Sequence, residues 1–103
     1  MRHYTDAECK AMLAKSLGSY GNAVLERNPE LRNRPYQLAA ATSLSYNIGP
    51  SAYWGSTVAK RFSAHDWRGG CDAFLAWHYA GGKPVKGLLN RRKAERSLCL
   101  TDL

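Results

Sequence analysis

The sequence predicts an all-α fold, and three observations carry that prediction. Apolar residues recur at helical spacing over most of the chain. Capping residues stand just ahead of those runs, and no segment alternates apolar and polar residues as a half-buried strand does. At 103 residues the chain can hold one modest core, so residues 1–103 are read as a single helical domain. A hydrophobic content of 45% separates it from disordered chains.

The first helix is expected to be capped by Thr5 or Asp6, with Thr5 and Glu8 spaced as a capping box. Its apolar positions are Cys9, Met12, Leu13, Leu17, Tyr20 and Val24. Gly18 and Gly21 weaken its middle without ending it. From Asn28-Pro29 to Arg34-Pro35 the chain is polar and proline-marked, and reads as a connection. The next segment, "YQLAAATSLSYNIG", carries no charge and is too apolar all round for a surface helix, so it is expected to cross the core until Gly49-Pro50 stops it.

A short helix is predicted from about Ser56 to Phe62. Asp66 then caps one with Trp67, Cys71, Phe74, Leu75 and His78 at i, i+4, i+7, i+8 and i+11. Gly81-Gly82 is expected to end it with a positive φ, and Pro84 prevents continuation. The last helix is predicted from about Val85 to Leu98, and strand is nearly absent.

Fifteen Lys and Arg against eight Asp and Glu give a formal charge of +7, which suits an anionic partner: nucleic acid, a membrane surface or a cell wall. No apolar run is long enough to span a bilayer, and the residues from Met1 to Asp6 hold no signal-peptide core. Because His3, His65 and His78 are scattered and no C-x-x-C occurs, neither a metal site nor a cofactor is expected. Cys9, Cys71 and Cys99 read either as small buried apolar side chains or, in an oxidising compartment, as the makings of a disulfide.

The segment "WHYAGGKPVKGLLNRRKAERSLCL" is the richest in chemistry. Trp77 and Tyr79 beside a Gly-Gly-Lys turn suit the stacking of a sugar or a base. The plainer alternative makes Trp77 a core residue and the glycines a helix cap, and the residues alone favour it. Arg91, Arg92, Lys93, Glu95 and Arg96 read as a phosphate-binding face or, more commonly, as a solvated one. In the latter case Arg91 and Glu95 form an i, i+4 pair worth about 0.2–0.5 kcal/mol.

In order along the chain, "YTDAECKAML", "SYNIGPSAY", "GSTVAKRF", "DWRGGCDAFLAWHYAGGK" and "GLLNRRKAERSLCL" resemble the inter-lobe helix, the central-helix ending, the Ser-Thr helix, the Trp helix with its turn, and the closing helix of the phage-type lysozymes. These are the endolysins of glycoside hydrolase family 24, and the resemblance is strongest to the lambdoid-prophage branch. It implies the compact helical lobe of that fold, without the N-terminal helix and the small β lobe. The family's catalytic glutamate, aspartate and threonine lie upstream of the segment that matches "YTDAEC". Because this chain begins three residues before that segment, no catalytic residue is expected in it.

Its own carboxylates offer no replacement. Glycoside hydrolysis uses two carboxyl groups ~5–9.5 Å apart, one of them with a raised pKa. Asp6 and Glu8 read as residues of a helix N-terminus, where the dipole favours ionisation, Asp66 as a cap and Glu95 as an ion-pair partner. Glu26, Glu30, Asp72 and Asp102 sit among polar neighbours.

Residue by residue, the resemblance carries over a substrate-side wall. Tyr46 and Asn47 match the end of the helix that floors the family's cleft, and Tyr79, Gly81, Gly82 and Lys83 match the turn that lines it. Asn47 either bonds an N-acetyl group, orients the acid, or caps its helix. Trp77 is expected to anchor the core at the root of that wall.

The implied function is peptidoglycan degradation in host-cell lysis, acting in the periplasm and cell wall after release from the host cytoplasm. This lobe is expected to be inactive alone, with peptidoglycan or its fragments as ligand and a catalytic lobe in trans or a second copy as partner. A non-enzymatic module that binds peptidoglycan or protein is the alternative. A nucleic-acid-binding domain is a third, supported by the basic helix only.

The helix pattern together with the resemblance also points to a Cys71–Cys99 bridge. The two residues lie near the start and end of helices joined by a short turn, and such helices pack antiparallel. The branch resembled works in an oxidising compartment, where a bridge persists. Cys9 is then left over, and three reduced core cysteines remain the alternative.

Overall fold

The computed structural model describes residues 18–101 and 103, so the expected cap at Thr5 or Asp6, the turns through Leu17, and Cys9 lie outside the described residues. Helix α1 spans Gly18–Arg27 and a 3-10 turn follows over Pro29–Asn33. Helix α2 (Pro35–Ile48) runs through the interior and buries Leu38, the three alanines 39–41, Leu44 and even Gln37, Thr42 and Ser45. Its lack of charge is what permits burial around so much of its circumference. Thr42 returns its hydroxyl to the Leu38 carbonyl at 2.7 Å and Gln37 donates to the Cys99 carbonyl, whereas the Ser45 hydroxyl has no hydrogen-bond partner among the described residues.

Gly49 stops α2 at φ 96°, a left-handed conformation that favours glycine. Pro50 then opens a helix the sequence did not predict, α3 (Pro50–Trp54), at a first-turn position where a missing N–H goes unnoticed. Ser56 caps α4 (Thr57–Ser63) by accepting from the Ala59 amide at 3.1 Å, and Asp66 caps α5 (Trp67–Ala73) by accepting from the Gly69 amide at 3.0 Å. The Asp66 cap stands where the sequence puts it, and the Ser56 helix starts where expected. Phe62 is wholly buried between α4 and α5, against Trp67 and Phe74. Gly70 makes that approach possible, because a Cβ there would overlap the Phe62 ring.

Two expectations are corrected. The helix capped by Asp66 does not reach Gly81: α5 ends at Ala73 and tightens into a 3-10 turn over Phe74–Ala76. Beyond it Tyr79–Ala80 (β1) pairs antiparallel with Lys83–Pro84 (β2), and Gly81 and Gly82, at φ 60° and 80°, turn the hairpin. Two successive positive φ values suit a tight hairpin turn, whereas a helix cap needs one. His78 therefore lies past the helix face assigned to it.

The Asn28–Pro35 segment is the expected connection, but it is anchored inward. Leu31 and Asn28 are wholly buried. Asn28 accepts from the Tyr53 hydroxyl at 2.7 Å and donates to Ala59 O at 3.0 Å and Glu30 Oε1 at 2.6 Å. One asparagine side chain thus ties the end of α1 to α3 and α4. Burial also pushes the Tyr53 phenol far above its ordinary range.

The last helix, α6 (Lys86–Cys99), packs antiparallel along α2, while α4 packs on α5 and α1 on α2. Cys71 in α5 and Cys99 at the end of α6 are bonded through sulfur, both wholly buried, with Cα atoms 5.6 Å apart. The bridge closes a loop with a sequence separation of 28 residues. In the chain-entropy picture a loop of that size contributes about 3–4 kcal/mol. Non-reducing peptide mapping of oxidised protein is expected to give one linked Cys71–Cys99 peptide, and reduction to lower the unfolding free energy by about that amount. Two free thiols, or either cysteine joined to Cys9, would contradict the pairing.

Candidate functional site

Tyr46 and Asn47 occupy the last turn of α2, where the helix leaves the core and its side chains reach solvent. Tyr46 is 56% exposed and meets the Tyr20 ring edge-on at 5.2 Å. Tyr79, 58% exposed, leans on the His78 ring at 4.4 Å. Gly81, Gly82 and Lys83 form the exposed tip of the hairpin. A Cβ at either glycine would meet nothing within 4 Å, so backbone conformation alone requires glycine there.

Trp77 is half-buried and packs against the core, as expected. With Thr57, Arg61, Ala73 and Ala76 it also lines an open cavity of about 340 Å³.

The structure corrects the reading of the basic helix as one solvated face. Arg92 is wholly buried and the Glu95 side chain is only 6% exposed. Glu95 keeps the expected i, i+4 pair with Arg91, at 3.5 Å, but its closer partner is Arg92 one turn away. Arg92 Nη2 donates to Glu95 Oε2 at 3.0 Å. Arg92 Nε and Glu95 Oε1 are 2.6 Å apart, out of line for a hydrogen bond, which leaves this leg of the pair purely electrostatic. The Ser43 hydroxyl donates to Glu95 Oε2, and Arg92 Nη1 donates to Asn47 Oδ1 at 3.1 Å. The helix that follows the hairpin is thereby bonded to the end of α2 that presents Tyr46 and Asn47. Helical spacing held the signal for this, since Leu88, Arg92, Glu95 and Cys99 fall on one stripe of α6.

Burial pulls the Arg92 guanidinium below its ordinary value, against the charge of Glu95, yet arginine starts so high that it stays protonated. Burial likewise pushes the Glu95 carboxyl up, against the Ser43 hydrogen bond and the charge of Arg92. A raised carboxyl is what a general acid needs. Glu95 does not fit that role, because it is enclosed and its oxygens face Arg92 and Ser43.

The other described carboxylates are also engaged or isolated. Asp66 caps α5, Asp72 accepts from Arg96 at 2.8 Å, Glu30 accepts from Asn28, and Glu26 is exposed. Among the described residues no group of His, Cys, Asp and Glu could hold a metal ion, and no helix is long and apolar enough to cross a membrane.

Residues 1–95 match the family model described as phage lysozyme. The chain belongs to the phage lysozyme family. This lysozyme-family chain is 40% identical over 99 residues to a SAR-endolysin of Enterobacteria phage P21, covering 94% of the chain and 58% of that relative. A SAR-endolysin of Escherichia phage Mu is 36% identical over 98 residues, with 95% and 57% covered. The endolysin of Salmonella phage P22 is 45% identical over 65 residues, with 63% and 44% covered. Among solved structures, the active form of the P1 phage endolysin Lyz superposes with a TM-score of 0.71 at 20% identity, over 91% of this chain and 57% of that one. The shared fold is that of a phage lysozyme, and the chain spans a little over half the length of the SAR-endolysins it matches.

The Arg92–Glu95 pair makes a measurable demand on this lobe. Arg92→Met strands a buried carboxylate and is expected to cost about 3–5 kcal/mol in urea unfolding. Arg92→Met combined with Glu95→Leu removes both charges and should recover most of that loss. Equal losses in the single and the double variant would show that the charges do not depend on one another.

Proposed function

We propose that this chain is the substrate-gripping helical lobe of a lysozyme that degrades peptidoglycan during host-cell lysis, acting in the periplasm and cell wall. The observation that carries the reading is the co-linear match to SAR-endolysins over 94% of the chain. The exposed pair Tyr46 and Asn47 and the exposed hairpin Tyr79, Gly81, Gly82 and Lys83 support it, because aromatic faces beside free backbone amides are what a saccharide requires. These six residues form the substrate wall, and residues 1–103 act as one domain. The carboxylates that cleave the glycosidic bond come from outside the described residues, in a catalytic lobe of the same polypeptide or supplied in trans.

A second reading is a non-enzymatic module that binds peptidoglycan, with a second copy of itself as partner. The inventory of engaged carboxylates favours it, since none of those described stands free beside another.

The 103-residue chain on its own is expected to leave a murein suspension turbid at neutral pH while pelleting with purified sacculi. Chitooligosaccharide should shift the NMR signals of Asn47 and Tyr79 more than those of Arg91 and Lys93. An affinity near the millimolar range, about −4 kcal/mol, is expected. Clearing that disappears on mutation of a single carboxylate would put a complete catalytic site in this chain. Shifts confined to the basic helix would reduce the grip to a charge effect.

A further inference from the structure

Asparagine is ambiguous toward a ligand, because its carboxamide can present either the oxygen or the NH2 group. The neighbour behind it removes the ambiguity here. Arginine has donors only, and Arg92 Nη1 sits 3.1 Å from Asn47 Oδ1. Turning the amide over would set NH2 against a buried guanidinium, donor against donor. Arg92 itself has little freedom to adapt. It is wholly enclosed, Glu95 takes two of its nitrogens, and Ser43 fixes Glu95 in turn. Asn47 is exposed on the other side, so the NH2 group is what it offers to solvent.

We infer that Arg92, braced by Glu95 and Ser43, is a positioning residue that orients the Asn47 carboxamide with its NH2 outward, so that this wall selects sugars bearing a carbonyl acceptor, such as the acetamido group of an N-acetylated glycan. The inference rests on the reading of Asn47 as part of the saccharide wall. A sugar with a hydroxyl in place of the acetamido group loses the carbonyl that the NH2 group addresses. An aspartate at position 47 keeps the bond to Arg92 and the same volume, but it turns an acceptor outward.

The test compares two neutral probes, chitotriose and cellotriose, by NMR titration of the full 103-residue chain. The wild-type protein is expected to bind chitotriose about tenfold more tightly, the worth of one net hydrogen bond. Asn47→Asp should bring that ratio to about one, because it removes the NH2 group that addresses the acetamido carbonyl. Arg92→Met with Glu95→Leu frees the amide to turn and should lower the ratio, because chitotriose loses more affinity than cellotriose. A merely structural role for Arg92 would weaken both sugars alike. Equal binding of the two sugars by the wild type, or a preference retained in Asn47→Asp, overturns the positioning role and leaves the saccharide wall standing. Failure of the wild type to bind either sugar overturns the wall itself, and this selectivity with it.

Discussion

A guanidinium shut away from water has to find its counter-charge inside the protein, and Arg92 finds it one turn along its own helix in Glu95. The pair lies between α6 and α2, and α2 adds one hydrogen bond to each member, Ser43 to Glu95 and Asn47 to Arg92. Apolar packing between two helices tolerates a slip of a fraction of a turn, since burial carries no direction. A buried ion pair with fixed acceptors does not tolerate it. Replacing such pairs by apolar residues is often neutral or stabilising, so registry rather than net stability is what this one supplies.

Everything at the solvent-facing end of α2 inherits that registry. The hairpin leads directly into α6, so the position of Tyr79 and the glycine turn follows from how α6 sits on α2. At the opposite end the same two helices are tied again, where Gln37 donates to the Cys99 carbonyl and Cys99 joins Cys71. A second polar node, Asn28 with Tyr53 and Glu30, does for α1, α3 and α4 what Arg92 does for α2 and α6. The apolar core fills the space between these nodes, with Phe62 lying over the bare backbone of Gly70.

Features set within a few residues were legible in the sequence. The uncharged α2, the Gly49-Pro50 stop, the helix start near Ser56 and the cap at Asp66 are each fixed by local chemistry. The helix that stops at Ala73 was misread because Gly-Gly serves equally as a helix cap and as a hairpin turn, and only the pairing of Tyr79 with Pro84 decides between them. Arg92 was misread, and the burial of Asn28 went unforeseen, for a related reason. Polar residues default to the surface, and their burial depends on partners 25 and 45 residues distant in the chain. For the candidate site, Tyr46, Asn47, Tyr79 and the glycine turn are proposed from the resemblance. The link from Asn47 through Arg92 to Glu95 and Ser43 could not, because the side chains of two helices meet there.

The dependence of this lobe on Arg92 is tested most directly at the guanidinium itself. Rotation about the Nε–Cζ and Cζ–Nη bonds can be read from the side-chain nitrogen NMR signals of each arginine. An Arg92 held by Glu95 and Asn47 gives separate, slowly exchanging Nη signals, while the half-exposed Arg91 gives a single averaged one. An averaged Arg92 signal, indistinguishable from that of Arg91, would contradict the account.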